Sequence, residues 1–110
     1  MPWQVTFHNE FYPEFQALPQ PVQDTLLAHL IVLRDIGPAL GRPLVDTLHS
    51  SRVANLKEMR FDAEGGVWRV LFAFDRKRIA VLLAGGNKKG AQQKRFYDKL
   101  IATAEARYGT

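Results

Sequence analysis

Apolar and polar residues follow two different periods along the first part of the chain. From Trp3 to Phe7 they alternate, which predicts a short edge strand. One or two helical turns are expected from Phe11 to Leu18. From about Pro21 to Ile36 the apolar residues recur at helical spacing, and Gly37 suits the end of a helix. We therefore expect a longer helix there, which covers a sheet.

The second part of the chain has the pattern of a strand meander followed by a helix. Residues 41 to 52 are interpreted as a polar connection. Strands are predicted at about Asn55–Asp62, Val67–Phe74 and Arg78–Ala84, a basic loop at Asn87–Gly90, and a final helix at Ala91–Tyr108. The predicted fold class is α+β, as one domain over residues 1–110: an N-terminal strand and helices, a three-stranded antiparallel meander, and a C-terminal helix.

Alternation along the strands places the charged residues of the meander on one face. Met59 points to one side of its strand, and Glu58 and Arg60 point to the other. A hairpin loop at residues 63–66 sets Arg60 directly opposite Arg69. Two arginines with Cβ atoms about 5 Å apart repel each other, so we expect either Glu58 or a bound anion to compensate them. We expect this face of the sheet to be open to substrate.

The charge of the chain is concentrated in its second half. The formal net charge is +4, but residues 1–51 sum to −3, whereas residues 52–99 carry twelve lysines and arginines against five acids. Such asymmetry favours a surface that binds a polyanion such as nucleic acid. A solvated basic face is the alternative interpretation.

The residues that are missing exclude several kinds of chemistry. The chain has no cysteine, which excludes disulfides, thiolate catalysis and cysteine-ligated zinc and fits a reducing cytoplasm. No signal peptide or membrane-spanning pattern is found, so we expect a cytoplasmic protein without a membrane partner. His8, His29 and His49 lack the spacing of a metal site, and no metal or other cofactor is expected. Only His49 is expected to approach the open face.

Four segments together resemble a known family. They are Asn55–Asp62, Val67–Phe74, Leu83–Gly90 and the pair Phe96-Tyr97. In order and spacing they are similar to the phage-derived HigB-like branch of the RelE/ParE toxin superfamily. This resemblance implies the RelE-like microbial RNase fold and the toxin of a type II toxin–antitoxin system. RelE-like members enter the ribosomal A site and cleave messenger RNA (mRNA), and that chemistry requires no metal.

The resemblance also implies roles for individual residues. Arg60 and Arg69 match basic strand positions that stabilise charge on the phosphate, and Tyr97 matches the aromatic residue of the last helix. Lys88 or Lys89 of the basic loop is expected to transfer protons, with Glu58 as the alternative base and His49 as a weaker one. The expected RNA contacts are Lys57, Arg78, Lys94 and Arg95.

The implied partners are an antitoxin, the ribosome and mRNA. The antitoxin is expected to carry a helix-turn-helix DNA-binding domain. Two other functions fit a basic protein of this pattern: a ParE-like toxin that binds DNA gyrase, and a nucleic-acid-binding regulator without catalysis. The cations that converge around Arg60 and Arg69 favour the ribonuclease, because a pure binding protein has less need of them at one phosphate-sized spot.

Overall fold

A five-stranded sheet with helices on both faces makes up the computed structural model, which describes residues 2–110. The strand order is β1-β5-β4-β3-β2, with β1 parallel to β5 and the other neighbours antiparallel. The elements are β1 (Gln4–Phe7), α1 (Tyr12–Gln16), α2 (Gln20–Ile36), a 3₁₀ turn (Gly37–Ala39), β2 (Val45–Leu48), β3 (Leu56–Ala63), β4 (Gly66–Phe74), β5 (Ile79–Asn87) and α3 (Gln93–Arg107). None of the helices in residues 2–110 combines the length and the apolar character needed to cross a membrane.

Helix α2 confirms the helical period found in the sequence. Its buried residues form one stripe that lies on the sheet, while Leu27 and Ile31 face outward. The helix ends at Gly37, whose φ of +72° favours glycine. A Cβ at Gly37 would lie 2.5 Å from the ring of Trp3, so this close approach also requires glycine. The buried stripe consists of Val22, Leu26, Leu30 and Leu33.

The first hydrophobic core lies between α2 and one face of the sheet. Met59 and Phe61 of β3 and Val70 and Phe72 of β4 are all buried there. These are alternate residues of each strand, as the predicted alternation of side chains requires. A shift of one residue between β3 and β4 would move this set out of the core, so burial fixes the register.

Helix α3 forms a second core on the opposite face of the sheet, and this corrects the expectation of an open face. Leu100, Ile101 and Ala104 of α3 pack with Leu71 and Ala73 of β4 in this core. The face contains apolar residues as well as the charged set, and their burial favours a covering helix. The face therefore stays accessible beside α3, around Arg60 and near Gly86 of β5.

The segment interpreted as a polar connection contains a strand, β2. It pairs antiparallel with β3, with Val45 opposite Met59 and Leu48 opposite Leu56. Only four residues long, β2 is an edge strand with one partner, so its apolar pattern is too short to indicate a strand. The sheet therefore has one strand more than the sequence predicted.

Strand β5 extends three residues beyond its predicted end at Ala84. Gly85 pairs with Val70 and Gly86 pairs with Arg69. A Cβ at Gly85 would lie 3.2 Å from Phe11, and one at Gly86 would lie 3.1 Å from Phe96. Glycine in this strand thus marks close packing on both faces rather than a loop, and the basic loop begins at Lys88.

Two adjacent leucines of α2 test the first core. We expect Leu26→Ala, at a fully buried position, to lower the free energy of unfolding by about 2–5 kcal/mol, because it removes packed methyl groups and leaves a cavity. Leu27 is 43% exposed, and Leu27→Ala should cost less than about 1 kcal/mol. Urea denaturation of both variants measures the difference, and equal losses would contradict the packing of α2.

Candidate active site

The β3–β4 hairpin places two arginines side by side. Arg60 pairs with Arg69, as predicted, and Glu58 pairs with Leu71. Ala63 and Gly66 also pair, which leaves Glu64 and Gly65 as a two-residue turn with φ values of +50° and +70°. Turns with two positive φ values match the twist of antiparallel strands. The turn and the buried set of the opposite face together hold the arginines in register.

A buried carboxylate lies between the two arginines. Oε1 of Glu58 is 3.5 Å from Nε of Arg60 and 3.5 Å from Nε of Arg69. The Glu58 residue is only 4% exposed. Of the two expected ways to compensate the arginines, the protein itself therefore supplies the carboxylate. Buried charges require such partners, because burial removes their contact with water.

Tyr97 of α3 completes this buried group. Its hydroxyl donates a hydrogen bond to Oε1 of Glu58 at 3.2 Å and accepts one from Nε of Arg69 at 3.2 Å. Arg69 also donates from Nη1 to the carbonyl of Trp68 at 2.8 Å. Burial raises the pKa of the Tyr97 hydroxyl, although the hydrogen bond from Arg69 acts in the opposite direction. The hydroxyl is therefore neutral and able to donate at neutral pH.

The loop after β5 brings one of the two candidate lysines to Tyr97. Nζ of Lys88 lies 5.9 Å from the centroid of the Tyr97 ring. The backbone of Lys88 donates to the carbonyl of Val67 at 2.7 Å, which fixes the start of the loop against β4. Nζ of Lys89 instead lies beside Gly65, 3.8 Å from the position of a Cβ there. The geometry thus favours Lys88 over Lys89 as a neighbour of Tyr97.

Two of the expected RNA-binding residues lie away from this group. Lys57 is on the α2 face of β3, because strand alternation separates it from Glu58, and its Nζ donates to Oγ1 of Thr47 at 2.7 Å. Arg78 follows the far end of β4, where its guanidinium carbon lies 4.6 Å from the centroid of the Trp3 ring. The structure does not bring either residue to Arg69, and their contact with RNA stays a prediction.

Of the other expected residues, Lys94 and Arg95 lie at the start of α3, and His49 lies just after β2. Lys94 and Arg95 are exposed in the first turn of α3, and Nζ of Lys94 lies 2.7 Å from a carboxylate oxygen of Asp98. Their contact with RNA also stays a prediction. His49 follows β2 at the end remote from Arg60, since the backbone of Arg60 bonds to Leu44 just before β2. The expectation that His49 approaches the open face stays a prediction.

Two residues of the site were not predicted, Arg42 and Asp46. Oδ2 of Asp46 is 3.3 Å from Nη1 of Arg42 and 3.9 Å from Nη1 of Arg60. Asp46 faces Glu58 across the β2–β3 pair, so finding it from sequence requires recognising β2. A surface pocket of about 320 Å³ opens here. Its lining residues are Arg42, Pro43, Arg60, Phe61, Asp62 and Arg69.

This arrangement suits phosphate chemistry with proton transfer. Guanidinium groups bind phosphate oxygens and stabilise charge that develops on them. The carboxylate of Glu58, the hydroxyl of Tyr97 and the ammonium of Lys88 supply groups that accept or donate protons nearby. Within residues 2–110, no three histidine, aspartate or glutamate side chains converge to hold a metal ion.

The pKa of Tyr97 gives a test of its burial. Because folding raises this pKa above 10.0, the neutral hydroxyl adds stability that is fully present below pH 10 and is lost as the pH rises through the folded-state pKa. The difference in tyrosinate absorbance between the wild type and Tyr97→Phe should therefore titrate above pH 10.0. A difference that titrates at or below this pH would contradict the buried site.

Comparison with known proteins finds relatives over most of the chain. The family described as phage-derived protein Gp49-like (DUF891) matches residues 13–109. The candidate toxins HigB2 and HigB3 of Mycobacterium tuberculosis are 44% identical over 89 residues and 42% identical over 93 residues. These matches cover 80% and 84% of this chain. The chain spans 44% of the length of HigB2 and 79% of that of HigB3.

Solved structures share the fold at low sequence identity. A mutant of Escherichia coli toxin RelE in the free state has a TM-score of 0.64 and 12% identity, covering 93% of this chain and 97% of that one. A chain from the archaeal RelE–RelB complex of Pyrococcus horikoshii has a TM-score of 0.59 and 22% identity, covering 83% of this chain and all of that one. These structures confirm the predicted RelE-like α+β fold. The chain therefore belongs to the Gp49-like family, is HigB-like in sequence, and has the RelE-like fold.

Proposed function

We propose that this protein is the toxin of a type II toxin–antitoxin pair and that it cleaves mRNA in the ribosomal A site without a metal. The observation that carries the proposal is the group formed by Arg60, Arg69, Glu58 and Tyr97, with Lys88 beside it. Relatives named as toxins support the same function, and the RelE–RelB complex supports an antitoxin partner.

The proposed reaction uses the ribose of the RNA as the nucleophile. The 2′-hydroxyl loses its proton and its oxygen bonds to the adjacent phosphorus, while the bond from phosphorus to the 5′-oxygen breaks. The products are a 2′,3′-cyclic phosphate and a 5′-hydroxyl, which takes up a proton. One base and one acid therefore suffice.

The two arginines divide the work according to their burial. The side chain of Arg60 is 28% exposed, so it is the one that contacts the phosphate oxygens. The side chain of Arg69 is 7% exposed, and it acts as a positioning residue that holds Glu58 and Tyr97. This division makes Arg60 the better residue to replace, because removing Arg69 would leave buried partners without their bonds.

Glu58 and Lys88 lie around Tyr97 and are proposed as base and acid. The carboxylate of Glu58 accepts the proton of the 2′-hydroxyl, and the ammonium of Lys88 donates one to the leaving 5′-oxygen. Tyr97 positions Glu58 through its 3.2 Å hydrogen bond and carries Lys88 over its ring. The identity of the base distinguishes this scheme from one in which a lysine removes the proton.

Replacing the exposed arginine tests the ribonuclease function. We expect Arg60→Gln to slow mRNA cleavage on programmed ribosomes on the order of 100-fold, because it removes a donor to the phosphorane. The measurement maps new mRNA 5′ ends in a purified translation system. Arg34→Gln is the control, since it removes an exposed arginine of α2 that pairs with Asp35.

Other outcomes identify the competing functions. Intact mRNA together with gyrase-linked DNA breaks would contradict the proposal and indicate a ParE-like toxin. RNA binding without cleavage or growth arrest would contradict it in favour of a regulator.

A further inference from the structure

A row of alternating charges crosses the sheet from β4 to the start of β2. Its cations are Arg69, Arg60 and Arg42, and its anions are Glu58, between the first two, and Asp46, between the last two. The reaction proposed above uses Arg69, Arg60 and Glu58. Arg42 and Asp46, at the outer end of the row, have no part in it.

The carboxylate of Asp46 lies between the guanidinium groups of Arg42 and Arg60. Its Oδ2 lies between Nη1 of Arg42 at 3.3 Å and Nη1 of Arg60 at 3.9 Å. Guanidinium groups bind carboxylate and phosphate oxygens in the same way. The side chains are 69% exposed for Arg42 and 28% exposed for Arg60, so an anion from solution reaches both.

We infer that Arg42 and Arg60 bind a second phosphate group of the RNA strand, next to the one that is cleaved, and that Asp46 occupies this site in the free protein. The identity of the polyanion as RNA rests on the proposed function. Entry of the strand displaces the carboxylate of Asp46 from Arg42. Asp46 is therefore an internal competitor of the substrate.

The contacts of Asp46 fit a displaceable group. Its side chain is 37% exposed, and an exposed ion pair such as the one with Arg42 contributes little stability. Asp62, which lines the same pocket, also repels an anion. A single phosphate ion should therefore bind weakly. A strand with linked phosphates binds because its first contact raises the local concentration of the second phosphate.

An uncleavable RNA tests the second site directly. The probe is a 2′-O-methylated oligoribonucleotide, whose binding is followed by fluorescence anisotropy at several salt concentrations. We expect Asp46→Asn to tighten binding about threefold, because it frees Arg42 and Arg60. The asparagine keeps the oxygen that accepts the Thr47 backbone N–H at 2.8 Å, so β2 is retained.

Replacing Arg42 gives the complementary result. We expect Arg42→Gln to weaken binding about threefold to tenfold and to reduce the salt slope by about 0.7, the value for one phosphate contact on a single strand. In the Arg42→Gln protein, Asp46→Asn should give a smaller gain than in the wild type, since one of its two cations is gone.

A matched ion pair on α2 provides the controls. Arg34 and Asp35 are exposed and 3.6 Å apart, so Arg34→Gln and Asp35→Asn make the same changes in net charge away from the pocket. If Asp46→Asn and Arg42→Gln match these controls, the second phosphate site is wrong. If they match while Arg60→Gln still slows cleavage on ribosomes as expected, the ribonuclease proposal stands alone. If the wild type neither binds the probe nor cleaves mRNA, both proposals fail.

Discussion

Two arginines that face each other on neighbouring strands need an anion between them, and the rest of the site depends on Glu58 meeting that need. The hairpin sets Arg60 opposite Arg69, and the apolar residues on the other side of the same strands prevent a shift of register. The carboxylate of Glu58 contacts both guanidinium groups from a buried position. Glu58 therefore offsets the repulsion between the two arginines and allows both positive charges to stay side by side on the sheet.

Helix α3 makes this charge cluster into a site with a defined shape. Its apolar residues cover the face beside the arginines, and Tyr97, one turn before them, hydrogen-bonds to Glu58 and Arg69. Helix α3 therefore buries Arg69 and leaves Arg60 at its edge. A rigid buried layer that supports one exposed cation is the arrangement that transition-state stabilisation requires, because the charges need not reorganise during the reaction.

Sequence patterns predicted the parts of this structure that depend on local periodicity. Helical spacing of the apolar residues was sufficient to predict α2. Alternation in β3 and β4 and the length of the hairpin connection were sufficient to predict the Arg60–Arg69 pair. The covering of the face by α3 was not predicted, although Leu71 and Ala73 lie on the same face of β4 as Arg69. Packing between distant segments decides such burial, and alternation alone does not show what covers a face.

Strand β2 and the residues Asp46 and Arg42 were also not predicted, because they too depend on contacts between distant segments. Strand β2 exists because β3 pairs with it, and its four residues are too few to show a period. Asp46 and Arg42 belong to the site only through that pairing. Tyr97 was expected as the aromatic residue of the site, but its packing was not: its ring lies against the second core while its hydroxyl bonds to Glu58 and Arg69.

The most direct test of the role of Glu58 is a double-mutant cycle on the free energy of unfolding. The four proteins are the wild type, Glu58→Gln, Arg60→Gln and the double variant, all measured in urea at neutral pH. We predict that Arg60→Gln lowers stability when Glu58 is present and raises it when residue 58 is glutamine, because the opposed arginines then repel without compensation. An Arg60→Gln effect that agrees in both backgrounds within about 0.5 kcal/mol would contradict the central role of this carboxylate.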